Sequence, residues 1–184
     1  KIEFCNLEAA LGHARILRGV SLCAQPRKLT GVIGPNGCGK STLIKTLFSI
    51  VKPSSGEILL DGEPTSRISP REIAMRIGYV SQESNIAFNF TVRELIRTGR
   101  YPHRRALRRS EADKVVDDAI AAMHLEAFAS RSILTLSGGE KKMVYLARTI
   151  AQQVECIVLD EPTNHLDIRH QLFILDYLKS SGKT

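Results

Sequence analysis

The sequence has 184 residues, of which 43% are hydrophobic and 24% are charged, proportions that are typical of one globular domain. They exclude an extensively disordered chain, and no apolar run approaches the roughly 18 residues that a membrane-spanning helix needs. The formal net charge is +7, and much of it lies in an arginine-rich stretch that could be a docking surface or a solvated face. Opposed only by Glu94, this stretch contains Arg93, Arg97, Arg100, Arg104, Arg105, Arg108 and Arg109.

Apolar runs alternate with helical patterns along the chain, which predicts an α/β fold. The chain opens Lys1-Ile2-Glu3-Phe4, a strand pattern without the features of a signal peptide, so we expect a soluble, cytoplasmic domain. Leu29–Ile33 predicts a buried strand that enters a glycine-rich loop, and Lys40–Phe48 predicts the helix after it. From Thr91 to Ala129 the pattern is helical and predicts an insertion beside the sheet. The other predicted elements are strands at Glu57–Leu60, Gly78–Ser81 and Cys156–Leu159 and helices at Pro70–Arg76, Gly138–Gln152 and Asp167–Ser180.

Three of these helices start at a Ser/Thr-x-x-Glu pattern, in which the first hydroxyl and the glutamate cap each other's backbone N–H groups. The three capping boxes are Ser69 with Glu72, Thr91 with Glu94, and Ser137 with Glu140. They predict where each helix begins.

The glycine-rich loop fits the pattern G-x-x-x-x-G-K-[ST], between a predicted strand and a predicted helix. It reads Gly34, Pro35, Asn36, Gly37, Cys38, Gly39, Lys40, Ser41 and Thr42. Its backbone N–H groups and the helix N-terminus can hold the phosphates of ATP, with Lys40 at the β- and γ-phosphates and Ser41 on Mg²⁺. Cys38 is either a reactive thiol or a tolerated small residue, and the spacing of the four cysteines predicts neither a zinc site nor a disulfide framework.

A pair of carboxylates follows the apolar strand that ends at Leu159. Asp160, at the end of that strand, can hold Mg²⁺ through its water shell. Glu161, the next residue, can act as the general base that activates water at the γ-phosphate. The two carboxylates would therefore supply the metal ligand and the general base, while the glycine-rich loop holds the phosphates.

Leu136-Ser137-Gly138-Gly139-Glu140 opens the helix that precedes this strand. A cap accounts for Ser137 and Glu140 but not for the two glycines, each of which costs about 1 kcal/mol inside a helix. Their presence predicts a second anion-binding surface, where a ligand approaches the bare helix N-terminus closely.

The order of these motifs resembles the ATP-binding cassette (ABC) ATPases over nearly the whole chain. The resemblance implies a P-loop NTPase core of mainly parallel sheet flanked by helices, with antiparallel N-terminal strands. The core would comprise residues 1–86 and 131–184, and the inserted helical subdomain would comprise residues 87–130.

The resemblance further implies that Gln82 is a catalytic lid residue on Mg²⁺ and that two copies pack head to tail. Each copy would then place the signature segment, Leu136–Glu140, on its partner's ATP. The loop that crosses the dimer interface would be Asn164, His165, Leu166 and Asp167.

Two segments are similar to a narrower group, the importer ATPases for iron-siderophore complexes, haem and cobalamin. They are Thr98–His103 and Asp160–Ile168. This similarity implies an ATPase at the cytoplasmic face of the membrane, working with permease subunits and, indirectly, a substrate-binding protein, with no nucleic acid expected. The alternative is a soluble cassette ATPase that acts on ribosomes or nucleic acid, which the net charge favours. A catalytically silent cassette conflicts with intact Lys40, Asp160 and Glu161.

The chain departs from the family pattern at three points. Leu11 stands where most members stack an aromatic residue on adenine, which predicts weak discrimination between bases. Glu140 replaces the usual glutamine, and we expect it to act in the capping box. The histidine that contacts the γ-phosphate would lie beyond Thr184, so we expect a chain truncated at its C-terminus; His165 belongs to the dimer-interface loop instead.

Overall fold

In the computed structural model the chain forms two compact units, Lys1–Ile73 with Leu178–Thr184, and Ala74–Tyr177. The residues that the structure describes are 1–81, 88–104, 109–162, 164 and 166–182. Helices and strands alternate in both halves of the chain, which confirms the α/β class. None of the helices in these ranges combines the length and apolar character needed to cross a membrane.

The first unit is built on a four-stranded antiparallel sheet in the order β2-β1-β3-β4. Its strands are β1 (Ile2–Leu11), β2 (Ala14–Ala24), β3 (Ser55–Leu60) and β4 (Glu63–Pro64), and its helix is α1 (Lys40–Leu47). Alternate residues of β1 are buried, and a bulge at Asn6, with φ of 46°, shifts the pairing so that both Phe4 and Leu7 face the core. A Cβ at Gly56 would lie 2.4 Å from the carbonyl oxygen of Asn6, so only glycine fits opposite the bulge.

The predicted strand at Leu29–Ile33 is wrong, because the structure forms no strand there. Within the described parts of the chain these residues pair with no strand, and Ile33 is 96% exposed. A strand needs a neighbour for its N–H and C=O groups, so an apolar run without that neighbour does not form one.

The second unit contains a parallel strand pair and the larger helices. Its elements are the end of α2 (Pro70–Arg76), β5 (Ile77–Val80), α3 (Val92–Arg97), α4 (Arg109–Ala122), α5 (Gly138–Ala151), β6 (Cys156–Leu159) and most of α6 (Ile168–Ser180). β5 and β6 pair in register from Ile77 with Cys156 to Val80 with Leu159. Helix α5 packs against α3, α4 and β5, and its apolar face, including Val144 and Ala147, is fully buried. The helical subdomain predicted at residues 87–130 falls inside this unit and stays a prediction.

All three predicted capping boxes are present. The side chains of Thr91 and Glu94 cap α3, and those of Ser137 and Glu140 cap α5. At α2, the Ser69 backbone N–H donates to the Glu72 carboxylate at 3.0 Å, and the Glu72 backbone N–H donates to the Ser69 hydroxyl at 3.2 Å. These starts were predictable because a capping box is a local interaction.

Most of the described arginines in the basic stretch have partners within the second unit. Arg93 pairs with Asp117, and Arg97 pairs with Asp113 at 3.0 Å, so two arginines of α3 face two acidic residues of α4. The guanidinium of Arg104 lies 4.6 Å from the centre of the Tyr101 ring. Arg105 and Arg108 lie outside the described residues. Aspartates of the same unit therefore compensate part of the positive charge of the arginine-rich stretch.

Candidate functional site

The glycine-rich loop lies in the first unit and leads directly into α1. Gly37 and Gly39 have φ angles of 79° and 101°, in the region that glycine adopts at least cost. A Cβ at Gly39 would lie 3.0 Å from Ile16 and 3.1 Å from Leu17, so the base of the loop packs against β2. Helix α1 begins at Lys40, which sets its first backbone N–H groups beside the loop. The left-handed glycines and the start of α1 support the predicted anion-binding role of the loop, which stays a prediction.

Lys40 folds back over its own loop. Its Nζ donates to the carbonyl oxygens of Gly34 at 2.7 Å and Pro35 at 3.0 Å, and it lies 3.9 Å from the Cys38 sulfur. A phosphate oxygen in the loop would offer this ammonium a stronger, charge-assisted acceptor than these neutral carbonyls. The Cys38 side chain is exposed, which leaves both readings of that thiol open.

The remaining residues predicted to bind the nucleotide in this unit lie on two elements. Ser41 and Thr42 follow Lys40 in the first turn of α1, where Thr42 is buried. Leu11 ends β1, pairs with Ala14 and is half exposed. It offers an apolar surface without a π-system, so weak base discrimination stays a prediction.

The carboxylates lie in the second unit, at the end of β6. Asp160 is 5% exposed, and its backbone N–H donates to the Val80 carbonyl at 3.0 Å, which continues the pairing with β5. A hydrogen bond joins the Tyr79 hydroxyl to Asp160, and burial together with this carboxylate raises the pKa of Tyr79 to about 12. The Asp160 carboxylate is therefore buried and held by a neutral donor.

Glu161 follows in a left-handed backbone conformation, with φ of 49°. The Asn164 amide donates to its carboxylate, and Lys142 Nζ donates to its carbonyl oxygen at 2.6 Å. Burial lowers the pKa of Lys142, while the charges of Glu161 and Asp160 oppose that shift. Sequence reasoning missed Lys142 and Tyr79, because both act through contacts with residues far along the chain and neither carries a motif.

The signature segment begins α5 with its capping box. Glu140 accepts hydrogen bonds from the Ser137 hydroxyl and the Ser137 backbone N–H, both at 2.7 Å, and these bonds lower the pKa of the Glu140 carboxyl. The expected capping role of Glu140 is confirmed. A Cβ at Gly139 would make only ordinary contacts, at 3.4 Å from Leu166 and 3.9 Å from His170. A Cβ at Gly138 would meet no described atom within 4 Å, so packing inside the unit does not require these glycines.

The predicted dimer-interface loop lies beside the signature segment, where Leu166 is buried. Asp167 caps α6: its carboxylate accepts the His170 backbone N–H and pairs with the His170 ring, both at 2.9 Å. These bonds lower the pKa of Asp167. Gln82 and His165 lie outside the described residues. The second unit thus contains the signature segment, the described residues of the predicted dimer-interface loop and the two carboxylates, whereas the glycine-rich loop belongs to the first unit.

The sequence and the fold both match characterised proteins. The model of the ABC transporter family matches residues 17–164. The hemin import ATP-binding protein HmuV of Myxococcus xanthus is 41% identical over 187 residues, covering 95% of this chain and 68% of that protein. The ferric enterobactin transport ATP-binding protein FepC of Escherichia coli is 41% identical over 156 residues, covering 84% of this chain and 58% of that protein.

Two further matches are the cobalamin import ATP-binding protein BtuD of Halobacterium salinarum and a solved ABC cassette. The cobalamin protein is 36% identical over 97% of this chain, which spans 45% of its length. The structure of a dimeric bacterial ABC transporter cassette superposes with a TM-score of 0.87 at 27% identity, covering all of this chain and 85% of that one.

Proposed function

Because this chain belongs to the ABC transporter family, we propose that it is the ATP-hydrolysing subunit of an importer for an iron-siderophore complex, haem or cobalamin. The observation that carries the ATPase assignment is the glycine-rich loop, with its two left-handed glycines and the Lys40 ammonium directed into it. The substrate class rests on the relatives, whose names are those of hemin, enterobactin and cobalamin import proteins.

ATP would bind through its phosphates to the loop from Gly34 to Thr42, with Lys40 exchanging its carbonyl partners for the β- and γ-phosphates. The hydroxyl of Ser41 and the carboxylate of Asp160 are hard oxygen donors of the kind that Mg²⁺ prefers, and Gln82 would be a third contact to the ion. When bound, the ion neutralises charge that develops on the phosphates.

Glu161 is the proposed general base for the attacking water. Its carboxylate is oriented by the Asn164 amide, and its backbone is held by Lys142. One contact restrains the carboxylate and the other restrains the backbone, so that the carboxylate would accept a proton at a defined position. Asp160, buried and bonded to Tyr79, serves the metal rather than the water.

The signature segment would act on the nucleotide of a second copy. Among the residues that the structure describes, none comes within 4 Å of a Cβ at Gly138, and the capping box keeps the Glu140 carboxylate bonded to Ser137. A γ-phosphate brought by the partner could therefore approach this helix N-terminus. Two such copies packed head to tail would form two composite sites.

The remaining partners are separate membrane permease subunits and, through them, a substrate-binding protein. The subunit would lie at the cytoplasmic face of the membrane as a peripheral protein. No nucleic acid is expected among its partners.

The test uses the full-length protein and its Lys40→Ala and Glu161→Gln variants. Lys40→Ala should abolish ATP binding, whereas Glu161→Gln should bind ATP, lose hydrolysis by at least 100-fold and accumulate an ATP-bound dimer. Glu155→Gln, which changes an exposed carboxylate near β6, is the matched control and should hydrolyse ATP normally. Normal hydrolysis by Glu161→Gln would overturn the general-base assignment.

A second candidate is a soluble cassette ATPase that acts on ribosomes or nucleic acid, and the net charge of +7 favours it. The pairing of Arg93 and Arg97 with aspartates of α4 reduces the free charge available for that role. Affinity capture of the tagged full-length protein decides between them: a membrane permease supports import, and ribosomes without a membrane protein support the alternative.

A further inference from the structure

The segment Thr98–His103 is one of the two segments that are similar to the importer ATPases for iron-siderophore complexes, haem and cobalamin. None of its residues has a role in the ATP binding or hydrolysis proposed above. In the structure it forms a 3₁₀ helix that continues α3. This 98–103 segment packs against the C-terminal end of α5, the helix that carries the signature segment at its other end.

Two side chains of the segment bond to the last carbonyls of α5. Arg100 is 5% exposed and its Nη1 donates to the Ala151 carbonyl at 2.6 Å, while His103 Nε2 donates to the Gln152 carbonyl at 2.9 Å. The last carbonyls of a helix lack partners inside the helix and carry its partial negative charge. A buried guanidinium and an imidazole N–H therefore stabilise this helix end.

The segment also contacts α5 through its backbone. A Cβ at Gly99 would lie 2.2 Å from the carbonyl oxygen of Arg148, so only glycine allows this approach. Arg148 in turn donates from Nε to the Thr98 hydroxyl at 3.0 Å. Four of the six residues in the segment, Thr98, Gly99, Arg100 and His103, thus contact the same end of α5.

The C-terminal end of α5 and the loop after it also contact the end of α2 and the strand β5. Gln152 Nε2 donates to the Ala74 carbonyl at 2.5 Å, and Glu155 N–H donates to the Arg76 carbonyl at 3.2 Å. A Cβ at Gly78 would lie 2.3 Å from the Thr149 methyl group, which shows how closely β5 approaches α5. The end of α5 is therefore held between the 98–103 segment and β5.

We propose that Arg100 and His103 are positioning residues that fix the orientation of α5 and, through it, the signature segment that meets the partner's ATP. Helix α5 has 14 residues and is about 21 Å long. A tilt at its C-terminal end displaces the N–H groups at Ser137 and Gly139, which must lie within hydrogen-bond distance of a γ-phosphate. The inference rests on the proposed head-to-tail dimer and adds a role for residues distant from the nucleotide.

The test measures ATP-driven dimerisation of the full-length protein carrying Glu161→Gln, alone and with Arg100→Ala, Gly99→Ala, His103→Ala or His103→Gln. Arg100→Ala and Gly99→Ala should raise the ATP concentration needed for half-dimerisation at least tenfold. His103→Gln keeps an N–H donor for the Gln152 carbonyl and should remain closer to the parent than His103→Ala. Tyr101→Ala changes an exposed side chain of the same segment and is the matched control, with no expected effect on dimerisation.

ATP binding to the monomer at low protein concentration separates positioning from unfolding. It depends on the glycine-rich loop of the same chain, so it should stay within twofold of the parent in every variant. Equal dimerisation of Arg100→Ala and the parent would overturn the inference, as would a parallel loss of ATP binding in the monomer. If the parent binds ATP but does not dimerise, the head-to-tail dimer itself is wrong and the inference falls with it.

Discussion

At the scale of single residues, Glu140 places a carboxylate in the signature segment, where we propose that a phosphate of the partner's ATP approaches. Glu140 is engaged by the hydroxyl and N–H of Ser137, so its charge is directed back to its own helix start. This geometry stabilises the ionised form and lowers the pKa of the carboxyl. The carboxylate is therefore held at the start of α5, where its bonds to Ser137 weaken its repulsion of the phosphate that we propose approaches beside Gly138.

The variant Glu140→Gln tests this interpretation. ATP affinity and the ATP concentration for dimerisation should change less than threefold, because the glutamine oxygen can still accept the two bonds from Ser137. Since the folded-state pKa lies below that of the unfolded chain, the carboxylate stabilises the protein above about pH 4.3, and this contribution disappears as the pH falls through the lower folded value. Melting temperatures of the two proteins should therefore converge below pH 4. A tenfold gain in ATP affinity would contradict the capping role.

Lys142, unlike Glu140, was not predicted from the sequence, and its bond to Glu161 leads to a prediction for catalysis. Lys142→Met removes the donor to the Glu161 carbonyl and should lower kcat about tenfold with less than a threefold change in KM, because orientation matters most in the transition state. Lys142→Arg should retain more activity. Lys141→Met, one position earlier on α5, is the control and should be nearly silent in steady-state ATPase assays. A rise in KM with unchanged kcat would instead assign Lys142 to nucleotide binding.

Among the elements, the helix starts were predicted most accurately from the sequence, because local interactions define them. The capping boxes at Ser69, Thr91 and Ser137 gave correct helix starts because each joins groups three residues apart. Leu29–Ile33 failed because a strand depends on a partner elsewhere in the chain. The glycine-rich loop was recognisable from the spacing of its residues. The contacts of Lys142 with Glu161 and of Tyr79 with Asp160 were not predictable, because each joins segments that are distant in the sequence.

The contact between β5 and α5 is testable at Gly78. Gly78→Ala places a methyl group 2.3 Å from the Thr149 Cγ2 atom and should destabilise the protein by about 2 kcal/mol, a typical cost of overpacking. Thr149→Ser removes that Cγ2 atom while keeping the hydroxyl that donates to the Tyr145 carbonyl at 3.0 Å. The double variant should therefore recover at least half of the loss in urea unfolding of the full-length protein. Strict additivity of the two changes would show that this methyl group is not the obstacle.

At the scale of the whole molecule, the residues predicted to act on ATP are distributed over both compact units of the chain. The glycine-rich loop belongs to the first unit, and the signature segment belongs to the second, on a helix where a Cβ at Gly138 would meet no atom of the described residues within 4 Å. The proposed assembly requires the loop of one copy and the signature segment of another at each ATP. Neither copy then contains a complete site.

This requirement predicts complementation between two inactive variants. In the Glu161→Gln background, chains with Lys40→Ala and chains with Ser137→Arg should each fail to trap ATP, because every homodimer lacks an essential group at both sites. Mixing them creates heterodimers in which Lys40 of one chain meets Ser137 of the other, which restores one complete site. Rapid filtration should then detect up to one trapped ATP per heterodimer. If both groups act within the same chain, mixing restores nothing, since each chain still lacks one of them.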